Sequence, residues 1–166
     1  MEKQWILTVN DEQHTVTGEA DTPVIWPLRN QLGLLSPRFG CGDEDCGACR
    51  ILLDGKPAFA CTLKLEEIRG KSLETLEGLQ QKKVMKCLQS CFLEHNAGQC
   101  GYCLSGILVT ATAFLTENCL PDKPLLDRRT VQQALDDHLC RCGAHNRIIE
   151  AVLQAAGALH KTENTP

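Results

Sequence analysis

The stretch FGCGDEDCGACRILLDGKPAFACTL, residues 39–63, decides how the first half of the chain is read. Three thiols, Cys41, Cys46 and Cys49, stand within nine residues, and Cys61 follows after eleven more. Small residues, Gly42, Gly47 and Ala48, lie between them with the acids Asp43, Glu44 and Asp45. After Cys49 the pattern becomes that of a strand. Ile51 and Leu53 alternate toward Asp54-Gly55, a pair that favours a tight hairpin turn. The cysteines therefore flank a hairpin: three on the loop that enters it and one where it ends.

The spacing C-x4-C-x2-C with a later cysteine is the plant-type ferredoxin arrangement, which holds a 2Fe–2S cluster. Such a loop must curl around a compact inorganic core, and Gly40, Gly42, Gly47 and Ala48 leave it room. Its N–H groups can then point at sulfur and tune the potential. Structural zinc sites use paired CxxC-like knuckles, so three thiols on one loop with one distant partner fit zinc poorly. A second constellation is made of Cys100 and Cys103, in QCGYC (99–103), and Cys140 and Cys142, in LCRCG (139–143), with 36 residues between the pairs. On spacing alone these two knuckles suit zinc or a second cluster, the tight CxC being the feature against zinc. Cys100 and Cys103 come just before an expected helix, whose first N–H groups favour thiolates.

Composition narrows the classes. The chain has 166 residues and 11 cysteines. The odd cysteine count, the length and the ordinary core argue against a disulfide scaffold. The net charge is -4, with four Phe, two Trp, one Tyr and no basic tract, which argues against nucleic-acid binding. The opening MEKQWILTVNDEQ carries charge on both sides of a very short apolar run and does not read as a signal peptide. LSGILVTATAFL (104–115) is too short and too rich in Ser and Thr to span a bilayer, so it reads as a buried helix. The expected compartment is the cytoplasm, with export alongside a partner as the alternative.

The chain changes character near residue 80. Before it, WILTVN (5–10) and HTVTGE (14–19) form a hairpin around DEQ. PVIWPLRNQLGL (23–34) is a short helix with Pro27 in its first turn and Gly33 at its C-terminal cap. SLETLEGL (72–79) is a last short strand. After it the periods are helical: KKVMKCLQSCFLEH (82–95), SGILVTATAFLTEN (105–118), TVQQALDDHL (130–139) and NRIIEAVLQAAGAL (146–159). The third begins with a Thr130-x-x-Gln133 capping box. Val84, Leu88 and Cys91 share a stripe with Met85, Cys87 and Phe92 beside it, and Ile148, Ile149, Val152, Leu153 and Ala156 face inward. LPDKPLLD (120–127), held by Pro121 and Pro124, is the one longer loop. The expected class is α+β: a sheet domain over 1–79, a four-helix bundle over 80–160 and a disordered tail over 161–166.

Cys87, Cys91 and Cys119 are left over and read as buried small hydrophobes, a third site or redox switch being the alternative. No Ser/His/Asp or Cys/His catalytic set stands out. His138 and His145 flank the second constellation, but its thiols complete a four-ligand shell without them. Asp43, Glu44 and Asp45 read as a solvated loop, with a docking face for an electron partner as the sharper reading.

Together, FGCGDEDCGACRILLDGKPAFACTL, GQCGYC and HLCRCGAHNRIIEAV resemble the iron–sulfur subunit of the xanthine oxidase family of molybdenum hydroxylases. The resemblance runs from about residue 4 to 158, with both cysteine sets in the family's order. It implies a ferredoxin-like β-grasp half and a four-helix-bundle half, each holding one 2Fe–2S cluster. It places Cys41, Cys46, Cys49 and Cys61 on the cluster nearer the surface. Cys100, Cys103, Cys140 and Cys142 fall on the cluster nearer the molybdenum cofactor. It further implies that Gln99 contacts the pyranopterin and that Cys142 lies closest to the pterin amine. The implied role is electron transfer to an external acceptor from a large molybdopterin-binding subunit, which oxidises an aldehyde or N-heteroaromatic compound. The chain itself would be non-catalytic.

Departures from the family pattern fall outside the cluster ligands. CLSG (103–106) stands where the family has CTPG, making Ser105 the expected helix cap. The gap between the two thiol pairs points to an insertion around 117–128. GDEDCGACR replaces a more neutral filler ending in threonine, and CRCGAHNRI resembles members whose acceptor is a c-type cytochrome rather than an FAD subunit. The competing readings are a free two-cluster ferredoxin and a zinc-bound interaction module. The first needs no pterin-facing surface, and the second conflicts with the spacing over 41–61.

Overall fold

The structure is a computed structural model that describes residues 3–120 and 122–163. Strands β1 (Lys3–Val9) and β2 (Glu12–Gly18) form the first hairpin. Its turn is the two residues Asn10 and Asp11, both at positive φ (52° and 67°). Two left-handed residues make the turn whose twist matches the strands, and Asn and Asp tolerate that conformation. The turn is therefore one residue earlier and tighter than the DEQ loop expected from sequence.

Helix α1 (Ile25–Asn30) starts with Ile25, Trp26 and Pro27, so the proline sits in the first turn, where its missing N–H costs nothing. Strands β3 (Arg50–Leu53) and β4 (Lys56–Phe59) turn at Asp54-Gly55 as expected, and β5 (Ser72–Glu74) completes the sheet. The order is β2-β1-β5-β3-β4, with only β1 and β5 parallel. Trp5, Leu7 and Val9 alternate inward on β1 and pack with Val16, Ile51, Leu73 and the buried Ile25 and Leu28 of α1. The segment LEGL is not strand but a single helical turn, α2 (Leu76–Leu79).

Helices α3 (Lys83–Glu94), α4 (Leu104–Asn118), α5 (Arg128–Ala134) and α6 (His145–Glu163) follow. Ser105 to Ala113 of α4 are all buried, as is Leu115. A helix apolar on every side must be surrounded. Here α4 packs on β3, α3 and α5, and Leu52 of β3 joins the core of the helices. Fully buried Met85, Leu88, Ile107, Leu115 and Ile148 carry that core, each contributing about 1.5–3 kcal/mol on burial. Val84, Cys87 and Leu153 are only half-buried at its margin.

Three local expectations are corrected. The cap of α5 is Asp127, whose Oδ1 accepts from the Thr130 N–H at 2.8 Å, so Thr130 is inside the helix and no Thr130–Gln133 box forms. Ser105 lies one residue inside α4, makes no cap bond, and its buried Oγ has no partner among the described residues. Residues 161–163, expected to be disordered, continue α6; 164–166 lie outside the described residues, as does Pro121 of the loop before α5.

Candidate metal centres

The loop that carries Cys41, Cys46 and Cys49 runs from α1 into β3. It curls through left-handed backbone at Gly42, Glu44 and Gly47 (φ 77°, 60° and 69°). A Cβ on Gly40 would meet the Cys46 sulfur at 2.5 Å, so a side chain there would displace a thiol. Backbone N–H groups point at sulfur: Cys41 N to Cys46 Sγ at 3.3 Å and Asp43 N to Cys41 Sγ at 3.4 Å. The β3–β4 hairpin then brings Cys61 back beside Cys49, with Ala60 N donating to Cys49 O at 3.3 Å. Cys41 is exposed, Cys46 half-buried, and Cys49 and Cys61 are buried.

In the first set Cys41 interacts most closely with Cys46 and Cys49 with Cys61, and Cys49 also lies near enough to Cys46 to feel its charge. Burial and the Cys61 thiol push Cys49 up to about 12. Burial also acts to raise Cys41, but the Asp43 N–H and the Cys46 thiol outweigh it and hold Cys41 below its usual range. The second set repeats the arrangement. Cys103 precedes the first residue of α4 and pairs with Cys140; Cys100 pairs with Cys142. The Tyr102 N–H, then the Cys142 thiol, lower the exposed Cys100, while burial beside Cys140 pushes Cys103 up to about 12. Ala144 N donates to Cys140 Sγ at 3.4 Å.

Among the described residues, no three His, Cys, Asp or Glu side chains converge on one ion. A dinuclear cluster asks instead for two thiolates on each of two irons. Thiols in two pairs, within loops of sulfur-directed N–H groups and small residues, fit that demand at both sites. The raised Cys49 and Cys103 thiols would become thiolates with iron beside them, because a coordinating metal ion deprotonates its thiols.

The two sets meet through backbone. Leu139 N, next to Cys140, donates to the carbonyl of Cys46 at 3.1 Å. Gly47 packs so closely on this region that a Cβ there would lie 2.3 Å from His138 Nδ1 and 2.6 Å from Asp137 O. Gly106 of α4 touches the other side of the same loop. His138 is buried, its Nε2 2.9 Å from Thr110 Oγ1, and burial followed by the nearby Arg50 charge lowers its pKa to about 4, so it is neutral. Tyr102 OH donates to Phe39 O, and Arg38 Nη1 donates to Gly101 O at 2.6 Å, tying the two loops a second time.

Gln99 lies at the second set, its Nε2 3.5 Å from Cys142 O, at the long limit of a hydrogen bond. Asp43, Glu44 and Asp45 are exposed, and Glu44 accepts from Thr62 Oγ1. Cys87 and Cys91 lie on α3, which packs against α6, and Cys87 Sγ donates to Ala155 O at 3.8 Å. Burial pushes Cys91 up to about 11 and also raises Cys87, as expected of inert core thiols. Cys119 is buried at the end of α4. Sequence reasoning missed Arg50, Asp137 and Gly106, which touch only through the fold; their one local signal is Arg50, a charge where the loop enters a buried strand.

Residues 75–153 match the family described as a 2Fe-2S binding domain. The chain is 38% identical over 155 residues to a nicotinate dehydrogenase subunit of Pseudomonas putida, covering 93% of this chain and 96% of that one. It is 32% identical to the aldehyde oxidoreductase of Megalodesulfovibrio gigas over 95% of its own length but only 17% of that larger protein. The solved quinoline 2-oxidoreductase of Pseudomonas putida contains a chain that superposes with a TM-score of 0.85 at 33% identity, covering 98% of both. The chain belongs to the family of iron–sulfur subunits of the molybdenum hydroxylases, the xanthine oxidase family.

Proposed function

We propose that this chain carries electrons through two 2Fe–2S centres, one ligated by Cys41, Cys46, Cys49 and Cys61 and the other by Cys100, Cys103, Cys140 and Cys142. The observation that carries the reading is the two-and-two pairing of thiols at both sites, joined by the Leu139–Cys46 hydrogen bond. Such centres accept and release one electron at a time. The chain's residues supply the rest. Buried Cys49, Cys61, Cys103 and Cys140 exclude water, N–H groups neutralise thiolate charge, and the Gly47–Gly106 contact keeps the two loops together.

The sheet order supports a β-grasp unit over 1–79 followed by a cluster-binding helical unit over 80–160, with α4 as the shared wall. Gln99 and the exposed rim at Cys100 and Cys142 would face a large molybdopterin-binding subunit, where the chemistry occurs. The relatives' names, nicotinate dehydrogenase and quinoline 2-oxidoreductase, favour an N-heteroaromatic substrate for that subunit. The exposed acidic loop at 43–45 would face the acceptor, a c-type cytochrome or an FAD subunit. No helix among the described residues is long and apolar enough to cross a membrane. We place the complex in the cytoplasm, with export beside a partner as the alternative.

Co-purification of the tagged chain from its native host tests the reading. A molybdenum-containing partner, iron–sulfur absorption that bleaches on reduction, and haem or flavin bands from the acceptor are expected. A lone chain with iron would instead identify a free ferredoxin, and a colourless zinc protein would overturn the assignment.

A further inference from the structure

Arg50 follows Cys49 directly and opens β3, yet its side chain is only 8% exposed. The guanidinium lies over the Phe59 ring, Cζ 3.5 Å from the centroid. Nη1 donates to Pro57 O at 3.3 Å and Nη2 to Asp137 Oδ2 at 2.6 Å. Nε is buried without an acceptor among the described residues, the state expected of a donor whose partner is a sulfur of the centre beside it. The other groups whose charge would act on it are the Glu44 carboxylate and, once ionised, the neighbouring Cys49. Asp137, three residues before Cys140, is 67% exposed. Water therefore screens part of the carboxylate's field, while the cation's acts inside the protein, where charges interact strongly, so the pair leaves a net positive field that the carboxylate moderates.

We propose that Arg50, its charge partly offset by Asp137, raises the reduction potential of the centre held by Cys41, Cys46, Cys49 and Cys61. Reduction would add one electron, taken from the centre's donor, with no bond formed or broken; the first centre would then be one unit more negative beside a buried cation, which would favour the reduced form. Asp137 acts as the regulator of that field, and because it belongs to the segment that carries Cys140 and Cys142, the device sits where the two centres meet. The inference rests on the assignment of the two thiol sets as 2Fe–2S centres.

The competing account is a clamp: the ion pair merely ties β3 to the segment before Cys140. Redox titration of the purified complex, followed by the separate electron paramagnetic resonance signals of the two centres, distinguishes them. Arg50→Met should lower the first centre's potential, and Asp137→Asn, which leaves the cation uncompensated, should raise it. Arg50→Lys, which keeps the charge but not Nε–H, should fall between wild type and Arg50→Met. The second centre should shift less in every variant. Shifts of the same sign in Arg50→Met and Asp137→Asn, or none in either, would leave only a clamp and overturn the proposal. If Arg50→Met loses the first centre, the sign of the Asp137→Asn shift decides alone. A wild-type complex without a signal from the first centre would instead refute the cluster assignment itself.

Discussion

Replacing Gly106 by alanine tests the contact that holds the first thiol loop on α4. A Cβ at this position would stand 2.1 Å from the Gly47 carbonyl oxygen and 3.1 Å from its carbon. A carbon–oxygen contact normally relaxes to about 3.3–3.6 Å, so helix and loop must part by more than about 1 Å. Both sides of the clash are backbone, which cannot swing away like a side-chain tip. Overpacking typically costs about 1–3 kcal/mol, and this rigid case belongs at the upper end. Alanine returns up to about 1 kcal/mol through its helix propensity. The net loss is about 2 kcal/mol, a fall of about 4–8 °C in unfolding midpoint for a chain of this size. Gly157 in α6 is the control, because nothing lies within 4 Å of an added Cβ. Gly157→Ala should raise the midpoint by about 2–4 °C. Thermal unfolding of the iron-loaded chain, followed by far-ultraviolet circular dichroism, reads both. A Gly106→Ala protein that gains stability like Gly157→Ala would refute the close packing of α4 on the Gly47–Ala48 backbone.

Other outcomes follow from the same geometry. Cys87→Ser and Cys91→Ala should leave iron and sulfide content unchanged, whereas Cys49→Ser and Cys103→Ser should each remove one resonance signal and spare the other. The Glu77 carboxylate accepts from Ser36 N at 2.9 Å and from Ser36 Oγ; burial acts to raise its pKa, but these bonds prevail and hold it below the ordinary 4.5. A depressed carboxylate stabilises the fold above its unfolded value and loses that contribution as the pH falls through the folded one. Midpoints measured from neutrality to below pH 4.5 should thus fall more steeply for wild type than for Glu77→Gln, which starts about 1–2 kcal/mol less stable. Gln99→Leu should preserve both clusters in the isolated chain while slowing their reduction by substrate in the assembled complex, as followed by stopped-flow absorbance.

The parts that were legible from sequence are those fixed locally. Asp54-Gly55 specifies its turn, the apolar run of α4 demands burial, and the cysteine spacing selects its loop. Errors fell where neighbouring residues compete for one role. Asp127 took the cap expected at Thr130 because its short side chain, three residues earlier, reaches the Thr130 N–H. LEGL became a helical turn because Asn10 and Ser36 hold it from the side: Asn10 Oδ1 accepts from Thr75 N at 2.9 Å, and Ser36 binds Glu77. The meeting of the two thiol sets was invisible for a different reason. Gly47, Gly106, Arg50, Asp137 and His138 lie far apart in the chain, and only tertiary packing brings them together.

Iron and acid-labile sulfide analysis of the chain, with the resonance spectrum after dithionite reduction, tests the central claim most directly. Two dinuclear centres require about four irons and four sulfides per chain and two distinct signals from reduced clusters. About two irons with a single signal, or zinc in place of iron, would contradict the account.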